Sequence, residues 1–320
     1  MERIRIATRA SKLAMAQSRY VADLLCRIRP GLKVAFEKIT TKGDRDHSDF
    51  LYKAGSVGFF TSRVEKSLLE RRADVAVHSF KDLPTAHTED LTIAAVPERA
   101  AAADALVSSV PAGSISDLPA GATVGTSSVR RIAQLRLARP DIECVPLRGN
   151  VETRVRKVME GSPPAIVVAC AGLHRLGLDE VISAVLPPAE FVPAPGQGAL
   201  AVQVRTEDTE LAELVRRIDH AESRIAVEAE RVVLAAVHGG CSIPLGVYAE
   251  IEGRRITIRA IICDDQTGRH VRRSAACGID EAESCAKRLA EELLAGGGRH
   301  ILEQINRRRS RPKAGRAIEQ

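Results

Sequence analysis

Aromatic side chains are scarce in this sequence: no tryptophan, three tyrosines and six phenylalanines. The cores must therefore be aliphatic, and the stacking platforms that grip single-stranded nucleic acid are missing. No Cys-x-x-Cys occurs among the seven cysteines at 26, 144, 170, 241, 263, 277 and 285. An odd, dispersed set argues against a disulfide frame and against a zinc site, and points to a reducing cytoplasmic compartment. No apolar run approaches the ~20 residues of a membrane span. The opening Met1-Glu2-Arg3-Ile4-Arg5-Ile6-Ala7 reads as a strand, not a secretion signal. Gly-x-x-x-x-Gly-Lys-Ser/Thr, His-Glu-x-x-His and Gly-x-Ser-x-Gly are absent, and Gly196-Gln197-Gly198 follows a proline-rich stretch instead of a strand.

What is present fits a globular protein of two or three domains: 320 residues, 45% hydrophobic and 28% charged. The net charge of +6 owes much to the tail, where Arg307, Arg308, Arg309, Arg311, Lys313 and Arg316 are opposed only by Glu319. Such a tail reads as solvated and disordered. The nearly neutral body gives little support to a nucleic-acid partner. Nothing in the sequence demands more than a monomer.

Strand and helix alternate over residues 1–97. Strands are expected at 4–7, 32–39, 73–77 and 91–96, and helices from Ser11 to about Ile28 and over 62–72. Residues 40–58, long, polar and glycine-containing, read as a mobile loop. The pattern repeats over 104–193, with strands at 123–126, 142–147 and 165–169 and helices at 129–138, 151–160 and 179–186. Alternation of this kind implies parallel sheets with helices on both faces. The strand at 199–205 suits either sheet. From about Glu222 a helix, three strands and a closing helix over 281–294 suggest a small α+β domain with an antiparallel sheet.

The chemistry gathers at strand ends. His78-Ser79-Phe80-Lys81-Asp82-Leu83-Pro84 empties a buried strand into a polar turn. Gly125-Thr126-Ser127-Ser128-Val129-Arg130-Arg131 places two arginines in a first helical turn, where the helix dipole disfavours cations. A bound anion would offset that cost; a fluctuating surface pair is the plainer alternative. Arg148 and Arg154 flank the cap residue Asn150, Arg9 and Ser11 follow the first strand, and Arg175 ends a weaker instance. Ligands of open parallel sheets bind at the carboxyl ends of strands. One crevice lined by these cations, with a single acid at Asp82, suits carboxylates or phosphates and not a metal ion. Cys241, on the turn Gly239-Gly240-Cys241, is either open to attachment or packed as a small hydrophobe.

Together these motifs resemble the porphobilinogen deaminase (hydroxymethylbilane synthase) family. The segments are Ile6-Ala7-Thr8-Arg9, the run from Ala73 to Pro84, Gly125-Thr126-Ser127-Ser128, Leu147-Arg148-Gly149-Asn150, Pro195-Gly196-Gln197-Gly198 and Gly239-Gly240-Cys241. Their order and spacing span residues 4 to about 305. The resemblance implies an α/β fold of two doubly wound lobes like those of periplasmic binding proteins, plus the small C-terminal α+β domain. The expected division is 1–98 with 199–218 for lobe 1, 99–198 for lobe 2, 219–306 for the third domain and 307–320 for the tail. It implies a transferase that joins four porphobilinogen molecules head to tail, each losing ammonia, into hydroxymethylbilane. The chain would be primed on a dipyrromethane cofactor, held by a thioether to Cys241. By the same resemblance Asp82 is catalytic, and Arg9, Ser11, Ser79, Lys81, Thr126, Ser127, Ser128, Arg130, Arg131, Arg148, Arg154 and Arg175 bind cofactor or substrate.

The physics agrees with that implication. Each pyrrole carries an acetate and a propionate, so a growing chain needs many fixed cations. Ammonia loss leaves positive charge near the ring nitrogen, which a preorganised carboxylate stabilises. Two positions depart from the family pattern. Val57 in Gly55-Ser56-Val57-Gly58 stands where the family usually has lysine, and Ala103 in Ala101-Ala102-Ala103-Asp104 where it often has arginine. A non-catalytic two-lobed binder of a polyanionic small molecule is the rival reading, and it needs neither Asp82 nor Cys241.

Overall fold

The computed structural model describes residues 2–39, 61–237 and 243–310. Cys241, the motif around Val57 and the last ten residues lie outside the described residues. The first stretch gives β1 (Arg3–Arg9), α1 (Lys12–Ile28), β2 (Lys33–Ile39), α2 (Ser62–Leu69), β3 (Val75–Ser79) and β4 (Leu91–Ala95). Next come β5 (Asp104–Ser108), β6 (Thr123–Gly125), α3 (Val129–Ala138), β7 (Glu143–Val145), α4 (Val151–Met159), β8 (Ala165–Ala169), α5 (Cys170–His174) and β9 (Ala184–Leu186). The chain continues through β10 (Leu200–Arg205), α6 (Thr209–Arg216), α7 (Ala221–Ala236), β11 (Leu245–Glu252), β12 (Arg255–Cys263), β13 (His270–Gly278), α8 (Ala282–Leu293) and α9 (Arg299–Ser310).

Helix α1 starts where expected because the Ser11 hydroxyl accepts from Ala14 N at 3.3 Å. Its buried stripe of Val21, Ala22 and Leu25 packs on Ile4, Ile6, Val75 and Val77 of the sheet. That sheet has the order β2-β1-β3-β10-β4, and the second has β7-β6-β8-β5-β9. In each, three neighbouring strands are parallel, but β10 runs antiparallel to β3 and β4, and β5 antiparallel to β8 and β9. Fully parallel sheets were the expectation; both are mixed. The reason is topological. Strands β5 and β10 each enter directly from the other lobe, with no crossover helix to impose parallel pairing.

Two further expectations need correction. Residues 179–186 form a one-turn 3-10 helix (Asp179–Val181) and the edge strand β9 instead of a helix. Eight residues stopped by Pro187-Pro188 are too few to sustain a helix alone, whereas β9 completes a sheet against β5. The basic tail is not disordered from Arg307: α9 carries Arg307, Arg308 and Arg309, and Arg308 donates to the buried Asp264 Oδ1 at 2.7 Å. A buried carboxylate holds what composition alone reads as solvated.

The third unit has the antiparallel order β11-β12-β13, with α7 and α8 packed over it. Its core is aliphatic, with Val233, Val247, Ile256, Ile258, Leu289 and Leu293 almost wholly buried. No helix among the described residues is long and apolar enough to cross a membrane.

Candidate active site

Strand β3 ends at Ser79, whose hydroxyl accepts from Gln17 Nε2 of α1 at 2.8 Å. The chain then makes one 3-10 turn, Phe80–Asp82. Phe80 plugs into the core at 2% exposure, which leaves Lys81 and Asp82 on the open side of the turn. Arg9, Ser11, Gln17, His78, Ser79 and Asp82 line one cavity of about 90 Å³. Four residues singled out in lobe 1, Arg9, Ser11, Ser79 and Asp82, are thus brought together.

In lobe 2 the hydroxyls shape the turn into α3. Ser127 Oγ donates to Leu147 O at 3.0 Å, Thr126 Oγ1 accepts from Ser128 N at 3.2 Å, and Ser128 caps the helix. The arginine pair that follows is buried and paired, not an exposed surface pair. Arg130 Nη2 lies 2.8 Å from Asp104 Oδ2, and Arg131 Nη2 lies 2.7 Å from Asp104 Oδ1. Arg130 also donates to Val192 O and Arg131 to Val167 O. The helix-dipole cost is therefore met inside the chain. Burial alone would raise the Asp104 carboxyl, but the two guanidinium groups outweigh it and hold it well below the usual carboxylate range. Asp104 was not among the expected site residues; in the sequence it is only the end of an alanine run.

Arg154 Nε donates to Gly149 O at 2.8 Å. Burial, with Arg131 and Arg148 close by, pushes its guanidinium down to about 10. Arg175 Nη2 donates to Gly198 O at 2.7 Å, and burial brings it to about 10 as well. Among the described residues neither Arg154 nor Arg175 has a carboxylate partner. Buried cations such as Arg154 and Arg175, with no carboxylate partner among the described residues, suit an anion.

The two lobes meet through Gln197. Lys81 Nζ donates to its Oε1 at 3.2 Å, while its Nε2 donates to Ala102 O at 2.8 Å and Asp104 Oδ1 at 2.9 Å. The flanking Gly196 and Gly198 have φ of +75° and +86°. A Cβ on Gly198 would lie 2.4 Å from Ala100 O, so only glycine lets the loop wedge this deeply. Burial and the nearby Arg131 push Lys81 down to about 8, against the pull of Asp82 and Asp104. Lys81 and the lobe 2 arginines therefore belong to one electrostatic site.

Helix α7 backs this site from the third unit. Arg231 donates to Leu83 O at 2.9 Å and Pro84 O at 2.6 Å, with its guanidinium 4.7 Å from the Phe80 ring centre. Sequence reasoning missed Arg231, Gln197 and Asp104 because their partners lie far along the chain, across lobes for Arg231 and Gln197 and within lobe 2 for Asp104. The flanking glycines were the one signal for Gln197. Among the described residues no cluster could hold a metal ion.

The donor set suits a dipyrromethane, whose two pyrroles bear four carboxylates: Lys81, Arg154 and Arg175 are buried cations of the site, Arg148 lies beside Arg154, and Arg130 and Arg131 are held by Asp104. The comparisons agree. Residues 4–213 match the family model "Porphobilinogen deaminase, dipyromethane cofactor binding domain", and residues 224–295 match "Porphobilinogen deaminase, C-terminal domain". The porphobilinogen deaminase of Roseiflexus sp. (strain RS-1) is 46% identical over 93% of this chain and 97% of its own length. That of Syntrophomonas wolfei subsp. wolfei is 44% identical over 94% and 98%. Among solved structures, the methionine binding protein MetQ aligns with a TM-score of 0.42 at 12% identity, over 68% of this chain and 89% of that one. Matched by both domain models in order, and by relatives across almost their whole length, the chain belongs to the porphobilinogen deaminase family.

Proposed function

We propose that the chain joins four porphobilinogen molecules head to tail, releasing ammonia at each addition, to give hydroxymethylbilane. The observation that carries this reading is the run of buried cations Lys81, Arg131 and Arg154, with Asp82 beside Lys81. Lys81, Arg148, Arg154 and Arg175 would hold the acetate and propionate groups of a growing chain, and Arg9 and Ser11 those of the incoming porphobilinogen. Asp82 faces the positive charge that ammonia loss creates on the pyrrole, where a fixed carboxylate lowers the barrier. The thiol that attaches the dipyrromethane is Cys241. When bound, the dipyrromethane supplies the free pyrrole carbon that receives the first unit. Arg130 and Arg131 would hold further carboxylate with their planes fixed by Asp104.

The domain division that suits this work is 1–98 with 199–218, 99–198, and 219 onward through α9. The protein acts as a cytoplasmic monomer on a small molecule, with neither nucleic acid nor membrane as partner. Intact mass is the deciding measurement. The purified protein should exceed its sequence mass by one dipyrromethane, mapped to Cys241. An unmodified, inactive Cys241 in protein made with ample porphobilinogen would favour the non-catalytic anion binder. Asp82→Asn should retain the added mass and lose turnover by about 10²-fold or more; full turnover would remove Asp82 from the mechanism.

A further inference from the structure

A polar chain runs beneath the Asp82 cavity that carboxylate binding does not use. Glu65 on α2, Gln203 on β10 and His78 on β3 are all buried. Thr88 Oγ1 donates to Glu65 Oε1 at 2.9 Å, and Gln203 Nε2 donates to the same oxygen at 3.1 Å. Gln203 Oε1 lies 3.0 Å from His78 Nε2. His78 in turn lines the cavity that Asp82 lines.

The order of this chain fixes a proton. A carboxylate only accepts, so Gln203 turns its amide nitrogen to Glu65 and its oxygen to His78. That oxygen also only accepts, so Nε2 carries the imidazole proton and Nδ1 keeps a lone pair. Burial lowers the His78 pKa, opposed by the charges of Glu65 and Asp82, and so favours the neutral ring. The charged groups that face it are Glu65 from α2, Asp82 from the turn after β3, and Arg9, which shares the cavity from the end of β1.

We propose that His78, oriented by Gln203 and Glu65, is the proton acceptor of the Asp82 cavity, taking up at Nδ1 the proton that each pyrrole addition releases. This rests on the reading of that cavity as the place where porphobilinogen reacts. Porphobilinogen enters as its ammonium form. Its C–N bond breaks with the electron pair leaving on ammonia, and its methylene carbon bonds to the free α-carbon of the receiving pyrrole. That α-carbon's C–H bond then breaks, its electron pair returning to the ring. The proton passes to His78 Nδ1 and on to ammonia, which departs as ammonium. Charge stabilisation by Asp82 and proton uptake by His78 thus fall to different groups.

Nitrogen-15 NMR of the histidine-labelled holoprotein reads the tautomer independently of turnover, with His78→Gln identifying the resonance. The expected spectrum at neutral pH has the proton on Nε2 and a bare Nδ1. Gln203→Glu sets a carboxylate against Nε2 and should raise the His78 midpoint by about one pH unit or more. The acidic limb of the kcat profile should rise with it. Glu65→Gln removes the charge that orients Gln203; the Nδ1-protonated tautomer should appear, and kcat should fall about tenfold or more with KM unchanged. A wild-type proton resident on Nδ1 overturns the proposal. So does an acidic limb that stays in place while the NMR midpoint moves, in an enzyme that still makes product. Should Gln203→Glu fail to fold, the wild-type spectrum and Glu65→Gln decide. A wild type that makes no hydroxymethylbilane at any pH overturns the functional reading, and the role of His78 with it.

Discussion

Arg99 and Glu230 face each other as a two-pronged pair, Nη1 to Oε1 at 2.7 Å and Nη2 to Oε2 at 3.1 Å, with the carboxylate fully buried. The same carboxylate accepts from Gly196 N at 2.7 Å and Ala249 N at 2.8 Å. Arg99 lies just after lobe 1, Gly196 at the return crossing, and Ala249 in the third unit. One side chain on α7 thus ties three parts of the molecule. Glu230→Ala should destabilise the protein by about 3–5 kcal/mol, because it strands a buried guanidinium. Urea unfolding measures it; a loss of a few tenths would show that the junction is held elsewhere.

Asp104 gives a prediction in pH. Its folded pKa is depressed, so its stabilising effect is fully present above the unfolded value of about 3.9 and is lost as pH falls toward the folded one. Asp104→Ala should cost about 3–5 kcal/mol near neutral pH, since Arg130 and Arg131 lose their counter-charge. The gap between the urea midpoints of wild type and variant should narrow below about pH 4. A gap independent of pH would mean that shape, not charge, is what the carboxylate supplies.

Gln197→Met removes the carbonyl that Lys81 donates to. That hydrogen bond favours the charged lysine, so the Lys81 midpoint should fall further below about 8. Between about 8 and the unfolded value of about 10.4, the unfolded chain binds more protons at this lysine. Its effect on stability therefore increases with pH across that window. The pH dependence of Lys81 acetylation, followed by peptide mass, reads the midpoint directly. A midpoint that rises would assign the depression to Gln197 itself.

The C-terminal helix separates two truncations. Removal of residues 311–320 should leave stability unchanged. Removal of 307–320 takes away Arg308, and with it the ion pair to Asp264, whose side chain is fully buried. That loss should cost about 1.5–3 kcal/mol, visible as a lower thermal midpoint. Equal midpoints for the two truncations would show the pair to be a surface ornament.

Much of this was legible in the sequence, where the signal was local. The apolar run into His78-Ser79-Phe80-Lys81-Asp82 gave both strand and turn, and the Ser11, Ser128 and Asn150 caps marked three helix starts. What stayed hidden depends on partners far along the chain. Asp104 is uninformative until Arg130 and Arg131, 26 and 27 residues away, turn toward it. Gln197 acts only because two crossings bring Lys81 and Ala102 to its opposite faces. Residues 179–186 misled because β-branched residues at helical spacing also suit an edge strand, and only β5 decides between the two.

The place of β10 governs how the molecule is built. It lies between β3 and β4, yet the chain reaches it only after the whole of the second sheet. A ribosome emits β1 to β4 long before the strand that joins them exists. The second sheet, contiguous from β5 to β9, has all its strands in hand sooner. The N-terminal lobe must therefore wait, with the inner edges of β3 and β4 unpaired and open to mispairing. Synthesis completes the arginine-bearing half before the half that carries the acid, and α7, which backs the cleft, follows both.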